Sequence, residues 1–187
     1  STILRGDSRI DTRQFGVRDM SQLFSFDADG LNEKFRATAP ALAAAALQPA
    51  LEQASCRPTD LDALVVCTCT GYLCPGISSY VSEALGLRAD AWLHDLVGLG
   101  CGAAVPALRT VHAILGAHPQ MTVACVAVEV CSAAFYLDND PGVIVSACLF
   151  GDGAAATIWR ANAGPGRLAC HDFDTHHEPA ERGCIRF

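Results

Sequence analysis

Short, almost continuously apolar runs alternate with helix-forming segments along this chain, and that alternation most limits its possible folds. The runs cover residues 63–68, 91–97, 121–130 and 154–159. Strands buried on both faces are apolar throughout, whereas half-buried strands alternate. Because such strands follow helical segments one by one, they favour a sheet with helices on both of its faces. The sequence therefore predicts an α/β fold, in which helices surround a mixed, largely parallel sheet.

The helical segments are placed by their composition and by the signals at their ends. Residues 32–54 are rich in alanine and leucine, which favour helix. Residues 78–85 end at Gly86, a residue typical of helix C-termini. A small-residue helical pattern runs from Cys101 to about residue 117. Residues 143–150 fit a strand or a helix equally well, because a short apolar run does not separate the two.

Composition restricts the class of protein and its surroundings. The chain has 187 residues, of which 51% are hydrophobic and 18% charged, as in a globular body with a substantial core. Its net charge of −7 argues against a nucleic-acid partner. No apolar run approaches the roughly 20 residues that span a membrane. The ten cysteines lie mostly inside apolar runs, which favours reduced thiols and a cytoplasmic location.

Cys101 is the first candidate for a catalytic residue. It follows an apolar run, stands among Gly98, Gly100 and Gly102, and precedes a small-residue helix. A helix N-terminus stabilises a thiolate, the reactive form of cysteine. Glycines leave room for a substrate carbonyl and for backbone donors facing an oxyanion. The alternative is a small buried hydrophobic residue, which is the commonest role of a free cysteine.

Other polar and thiol groups have simpler structural interpretations. Cys67, Cys69 and Cys74 lack the paired spacing of zinc ligands, so we expect no metal site there. Glu129, inside an apolar strand, needs hydrogen-bond partners and is expected to have a structural role. Asp152 lies between two glycines, and we expect a tight turn in which it bonds local backbone.

Four segments in sequence order resemble the type III polyketide synthases, the chalcone-synthase-like branch of the thiolase fold. They are residues 67–76 (CTCTGYLCPG), the Gly100-Cys101-Gly102-Ala103 turn, residues 129–135 (EVCSAAF) and residues 149–156 (LFGDGAAA). Each segment alone is weak, whereas their order and spacing make the match specific. The resemblance implies a thiolase-like layered fold.

The resemblance also implies roles for individual residues. Cys101 matches the cysteine that takes the starter acyl group from coenzyme A and holds the growing chain. Phe135 matches a phenylalanine that gates the passage between the coenzyme A tunnel and the cavity. Cys69, Thr70 and Cys74 match positions that shape the starter pocket, with Cys74 at the family's dimer contact.

Two arginines and the length of the chain complete what the resemblance implies. Arg9 and Arg13 lie near the family's basic segment that contacts coenzyme A. The family's catalytic histidine and asparagine lie in the second half of its fold, and none of the histidines here has a matching context. We therefore interpret residues 1–187 as an N-terminal thiolase-like half-domain, whose C-terminal half is absent from this chain.

The function implied is that of an acyltransferase. It would condense an acyl-coenzyme A starter with malonyl-coenzyme A by decarboxylative Claisen chemistry, as a homodimer without metal or organic cofactor. The isolated chain is expected to be inactive in that condensation. Two alternatives remain at this point: a condensing enzyme resembling ketoacyl synthase III or hydroxymethylglutaryl-coenzyme A synthase, and a non-catalytic half-domain that acts in assembly.

Overall fold

The computed structural model describes residues 12–17, 19–24, 27–134, 140–162, 164, 168–176 and 178–184. Within these residues the elements alternate between strands and helices over most of the chain. No helix in this described part is both long and apolar enough to cross a membrane.

A four-stranded mixed sheet forms the centre of the fold. Its strands are β1 (Ala63–Thr68), β2 (Trp92–Val97), β3 (Val123–Glu129) and β4 (Gly153–Trp159). The order across the sheet is β2-β1-β3-β4. The strand β1 runs parallel to both β2 and β3, whereas β4 pairs antiparallel with β3. The predicted mixed, largely parallel sheet is thus confirmed.

The α-helices of the described residues are α1 (Ala28–Gln53), α2 (Ile77–Leu85), α3 (Ala104–Ala117) and α4 (Pro141–Leu149), of which α1, α2 and α3 pack against the sheet. The first helix begins earlier than predicted, because Asp27 caps it by accepting the Gly30 N–H at 2.8 Å. The second ends as predicted at Gly86, which adopts the left-handed conformation with φ of 69°.

The long helix α1 presents one narrow apolar stripe to the sheet. Its buried residues are Phe35, Ala39, Ala43, Leu47 and Leu51, each four positions after the last. Residues four apart lie above one another on a helix, so this spacing builds a single buried ridge. Pro40 and Pro49 both lie inside the helix.

Alternate residues of the central strands feed two separate cores. Leu64 and Val66 of β1 pack with α1 and α2, whereas Val65 and Cys67 pack with α3. The strand β3 divides its side chains in the same way. Successive side chains of a strand point to opposite faces, so the sheet is covered on both sides. The same alternation decides which side chains at the ends of these strands lie on the α3 side of the sheet.

The segment that fits either a strand or a helix forms α4. Asp140 caps this helix, accepting the Gly142 N–H at 2.7 Å and the Val143 N–H at 3.3 Å, and Pro141 occupies the first helical position. Aspartate followed by proline is a helix-start signal, and it decides between the two possibilities. No residue of α4 is buried, and Ile144 and Val145 are about half-exposed.

Candidate active site

The carboxyl ends of three parallel strands meet at one edge of the sheet. Cys69 follows β1, the turn that contains Cys101 follows β2, and Glu129 and Cys131 stand at the end of β3. The β1–β3 register pairs Cys67 with Ala127, which brings Cys69 beside Glu129 two residues later. Cys69 and Glu129 share the parity of the β1 and β3 residues that pack against α3. The site thus assembles from segments that are distant in sequence, at the ends of β1, β2 and β3.

The turn that carries Cys101 is shaped by its glycines. Gly98 and Gly100 adopt left-handed conformations with φ of 75° and 71°, which glycine enters at no steric cost. The Ala103 N–H donates to the Gly100 carbonyl at 3.0 Å, and the Val105 N–H donates to the Gly102 carbonyl at 3.0 Å.

Cys101 itself is exposed and precedes the helix, since Ala103 is the N-cap of α3. The alternative that Cys101 is a buried core residue is therefore wrong. Positive-φ glycines turn the backbone away from the helix axis and leave the thiol on the outside of the turn. Space remains open beside Gly98, Gly100 and Gly102, where an added Cβ would meet nothing within 4 Å.

Cys69, Cys101 and Cys131 form a thiol cluster at this edge. Cys69 is half-buried and Cys131 is buried, and a thiolate on Cys101 raises the pKa of both. Burial, followed by the charge and hydrogen bond of Glu129, raises the pKa of Cys69 to about 12. Burial, followed by the charges of Glu129 and Asp152, raises the pKa of Cys131 to about 11. Of the three thiols, Cys101 alone is exposed.

Glu129 holds the turn after β1 against the end of β3. Its carboxylate accepts the Cys69 N–H at 2.9 and 3.1 Å and the Thr70 N–H at 3.0 Å. It also accepts the hydroxyls of Thr68 at 3.2 Å and Thr70 at 2.7 Å. A half-buried carboxylate is stabilised by such donors, and the predicted hydrogen-bonded role of Glu129 is confirmed.

Thr70 is committed to this network. While its hydroxyl donates to Glu129, it accepts the Val130 N–H at 2.8 Å. The hydroxyl therefore pins the turn to β3, and its contribution to a starter pocket stays a prediction.

Asp152, whose charge acts on Cys131, is hydrogen-bonded to two distant segments of the chain. Its carboxylate accepts the N–H and hydroxyl of Ser132 at 2.8 and 2.6 Å, and the Gly16 N–H at 2.6 Å. Ser132 is fully buried. The expectation that Asp152 bonds local backbone within a glycine turn is wrong, since its partners are distant in sequence and neither adjacent glycine has a positive φ.

Arg13 and Phe150 both lie next to Gly151, the residue before Asp152. The Gly151 backbone partly offsets the raised pKa of Cys131, and Phe150 is the residue before Gly151. Phe150 is 45% exposed, an apolar ring that sequence reasoning did not select. The Arg13 guanidinium donates to the Leu149 carbonyl at 3.0 Å, one residue before Phe150.

The remaining predicted site residues fall elsewhere. Cys74 is exposed and lines a cavity of about 170 Å³ together with Asn32 and Arg36 of α1, Tyr80 of α2, and Tyr72 and Leu73 of the loop before α2. Phe135 and Arg9 lie outside the described residues. Cys131 was not selected at the sequence level, because its place at the edge shared with Cys69 and Cys101 depends on the order of the strands in the sheet.

A larger cavity of about 460 Å³ lies between α3, the end of β4 and the segment that follows. None of the thiol-cluster residues lines it, and its wall includes Val111, His112 and Trp159. This cavity is separate from the exposed Cys101 thiol and from the carboxyl ends of β1, β2 and β3. In the described ranges no group of three or more histidine, cysteine or acidic side chains is arranged to hold a metal ion.

The comparisons with known proteins agree with this geometry. The family model described as FAE1/Type III polyketide synthase-like protein matches residues 22–168. This chain belongs to that family. The 3,5-dihydroxyphenylacetyl-CoA synthase of Streptomyces toyocaensis is 37% identical over 136 residues, which cover 73% of this chain and 34% of that protein. The 1,3,6,8-tetrahydroxynaphthalene synthase of Streptomyces peucetius subsp. caesius is 37% identical over 120 residues, 64% of this chain and 32% of that protein.

Solved structures of family members share the fold. The C-terminal type III polyketide synthase domain of Steely1, from Dictyostelium, aligns with a TM-score of 0.76 at 29% identity, over 86% of this chain and 47% of that one. The 1,3,6,8-tetrahydroxynaphthalene synthase of Streptomyces coelicolor A3(2) aligns with a TM-score of 0.74 at 26% identity, over 80% and 43%. The thiolase-like fold is therefore confirmed. The chain spans about a third of the length of the curated relatives named here.

Proposed function

We propose that this chain is the N-terminal half of an acyltransferase that condenses an acyl-coenzyme A starter with malonyl-coenzyme A. The observation that carries the proposal is the exposed Cys101 thiol in its glycine turn, at the edge where the strands end. The family match supports it over the ketoacyl synthase III-like and hydroxymethylglutaryl-coenzyme A synthase-like alternatives. The names of the relatives specify aromatic or pyrone-forming synthases, and they leave the starter of this chain open.

The first chemical step is acyl transfer to Cys101. Its thiolate attacks the thioester carbonyl, the carbon–sulfur bond to coenzyme A breaks, and the released thiolate takes a proton from water. Backbone N–H groups of the glycine turn would stabilise the tetrahedral oxyanion. The open space beside Gly98 and Gly100 leaves room for that carbonyl to approach.

Condensation follows at the same sulfur. Decarboxylation of the malonyl thioester releases carbon dioxide and leaves an enolate, whose carbon attacks the acyl carbonyl on Cys101. The new carbon–carbon bond forms as the bond to sulfur breaks, which regenerates the Cys101 thiolate. The resemblance assigns the histidine and asparagine that assist this step to the second half of the fold. Arg13, which the resemblance places near the segment that contacts coenzyme A, is held by its hydrogen bond to the Leu149 carbonyl.

The second copy in the proposed homodimer would meet this chain at Cys74, as the resemblance implies, and along β2. This strand forms one edge of the sheet, and edge strands carry backbone groups free to pair with another strand. Large apolar side chains are exposed on and after it: Trp92, Leu93, Val97 and Leu99. Contiguous exposed apolar surface of this kind marks interaction sites. The free state of the described thiols supports a reducing compartment for the assembly.

Acyl loading tests the nucleophile directly. The 187-residue chain is incubated with hexanoyl-coenzyme A, and its intact mass and peptides are measured. We expect one acyl group, mapped to Cys101 and lost in Cys101→Ser. The matched control is Cys148→Ser, since Cys148 is also an exposed free thiol but lies on α4. Acylation that persists in Cys101→Ser and disappears in the control would overturn the assignment.

A further inference from the structure

Two other thiols stand close enough to Cys101 to compete with it for an acyl group. Cys69 follows β1 and Cys131 follows β3, at the same edge of the sheet as the turn that carries Cys101 after β2, and a Cys101 thiolate adds to the raised pKa of both thiols. An acyl group that moved to either thiol would sit at a different distance from the incoming nucleophile. Productive condensation therefore needs loading to be restricted to one of the three sulfurs. Burial, the larger cause, raises the pKa of Cys69 and Cys131, and the charge of Glu129 adds to that effect.

We infer that Glu129 is a positioning residue that acts together with burial to confine acyl loading to Cys101, by holding its carboxylate beside the Cys69 turn at the end of β3. This inference rests on the proposed function of Cys101 and goes beyond it, because Glu129 itself touches no reacting atom. The carboxylate is fixed by the donors of Thr68, Cys69 and Thr70, so its charge cannot move away from the thiols.

Few charged or titratable groups act on the thiols of Cys69 and Cys131. Glu129 on β3, Cys101 on the glycine turn and Cys131 act on Cys69. Glu129, Asp152 at the start of β4 and Cys101 act on Cys131. Every one of these groups carries negative charge when ionised, so each disfavours a thiolate at Cys69 and Cys131.

Cys101 differs from these two thiols in exposure, and it stands on an element that Glu129 does not hydrogen-bond. A thiolate, not a thiol, attacks a thioester, so a raised pKa removes the nucleophile even where a substrate can reach it. The arrangement leaves Cys101 as the exposed member of the cluster. Glu129 thereby acts by disfavouring the thiolates of Cys69 and Cys131, two residues that take no part in the proposed reaction.

The test compares alkylation of each thiol as a function of pH in Glu129→Gln and in the native sequence. Iodoacetamide is applied to the 187-residue chain, and adducts on Cys69, Cys101 and Cys131 are quantified by mass spectrometry. We expect the alkylation midpoint of Cys69 to fall by about one pH unit or more, so that its rate near pH 9 rises roughly tenfold. Glu129→Asp, which keeps the charge, should restore most of the native midpoint.

A matched control separates charge from the loss of a hydrogen-bonded carboxylate. Asp95 also accepts a backbone N–H and a hydroxyl, both from Ser78, but it does not act on the pKa of Cys69 or Cys131. Asp95→Asn should leave both midpoints unchanged. If Glu129→Gln raises the Cys69 rate by one factor at every pH, with the midpoint fixed, the turn has opened instead and the inference is overturned. Unchanged Cys69 and Cys131 in Glu129→Gln overturn it as well.

Cys101→Ser keeps the inference testable if Glu129→Gln does not fold, because Cys101 is exposed and Glu129 stays in place. In that variant hexanoyl-coenzyme A should acylate neither Cys69 nor Cys131 near neutral pH. Acylation of either would overturn the inference while leaving the proposed function intact. Failure of the proposed function has a different signature, namely an unmodified Cys101 in the native sequence.

Discussion

Both carboxylate oxygens of Glu129 accept the backbone N–H of Cys69, at 2.9 and 3.1 Å. The two residues lie 60 positions apart, and they join the end of β3 to the turn that follows β1. The position of Cys69 in the thiol cluster is therefore set by a tertiary contact. The same carboxylate that fixes the turn also raises the pKa of the thiol it carries.

The order in which the cysteines react should follow burial and charge. Burial raises the pKa of Cys125 to about 12, and burial with the nearby Glu129 charge raises the pKa of Cys67. Only a minute fraction of such thiols is ionised near neutral pH, and alkylation rates follow the thiolate. We expect limiting iodoacetamide at pH 7–8 to modify Cys101 before Cys67, Cys69 or Cys125, as mapped by mass spectrometry.

The pH dependence has a definite sign. Thiols whose pKa is raised become reactive only as pH increases toward that pKa, so Cys69 should follow Cys101 on the alkaline side. A native chain in which Cys67, Cys125 or exposed Cys148 reacts ahead of Cys101 would contradict the assignment of the nucleophile.

Replacing Asp152 with alanine should destabilise the fold by about 2–4 kcal/mol, because it leaves the N–H and hydroxyl of buried Ser132 without their charged acceptor. Chemical denaturation monitored by circular dichroism measures this. The control is Asp90→Ala, which removes an exposed pair with Arg88 at 2.9 Å and should cost less than about 1 kcal/mol. Equal losses in the two variants would contradict a structural role for Asp152.

The sequence was sufficient for the elements whose burial is continuous. The strand β1 has the predicted bounds, because all six of its residues are buried and its apolar run is unbroken. The helix α4 was ambiguous on hydrophobicity alone, although Asp140 and Pro141 carried a start signal that resolves it. Helices and strands are therefore predicted well from sequence when the capping residues are considered together with the apolar run.

The residues of the candidate site differ in whether their neighbours in the sequence or distant contacts place them. Cys101 was predictable from its glycines, which act locally. Cys131 and the partners of Asp152 were not predicted, since the bond between Asp152 and Gly16 joins residues 136 positions apart. Such pairs depend on the order of strands in the sheet, which a single sequence does not specify. The antiparallel direction of β4 is another consequence of that order.

Two glycine-to-alanine substitutions should change stability in opposite directions. At Gly71 a Cβ would lie 2.5 Å from the Phe35 ring, so Gly71→Ala forces overpacking and should cost about 1–3 kcal/mol. At Gly116, inside α3, a Cβ would meet nothing within 4 Å. Gly116→Ala should stabilise the chain by about 0.5–1 kcal/mol through helix propensity. Thermal unfolding of both variants measures the difference, and equal shifts would contradict the close contact at Phe35.

Charge placed on β2 should weaken association. Leu93 is 39% exposed on the edge strand, and Leu93→Lys introduces a charge that natural sheets use to block edge pairing. Sedimentation velocity at low micromolar concentration, in reducing buffer, should show assemblies for the native sequence and a shift toward 19.6 kDa for the variant. Ile144→Lys, at a comparably exposed residue of α4, is the control. A native chain that sediments as a monomer would exclude β2 as the contact between copies.

Acyl loading and condensation should separate in the 187-residue chain. Loading takes place at the Cys101 thiol in its glycine turn, both of which the chain contains, whereas the histidine that the resemblance implies as its activator belongs to the second half. Condensation also needs the histidine and asparagine that the resemblance assigns to the second half, and losing a positioned acid–base group costs about 10² to 10⁴ in rate. We therefore expect hexanoyl-coenzyme A to label Cys101, whereas added malonyl-coenzyme A yields no pyrone or resorcinol by liquid chromatography and mass spectrometry. Products released over many turnovers would show that these residues suffice for the whole reaction, and the half-domain proposal would then be wrong.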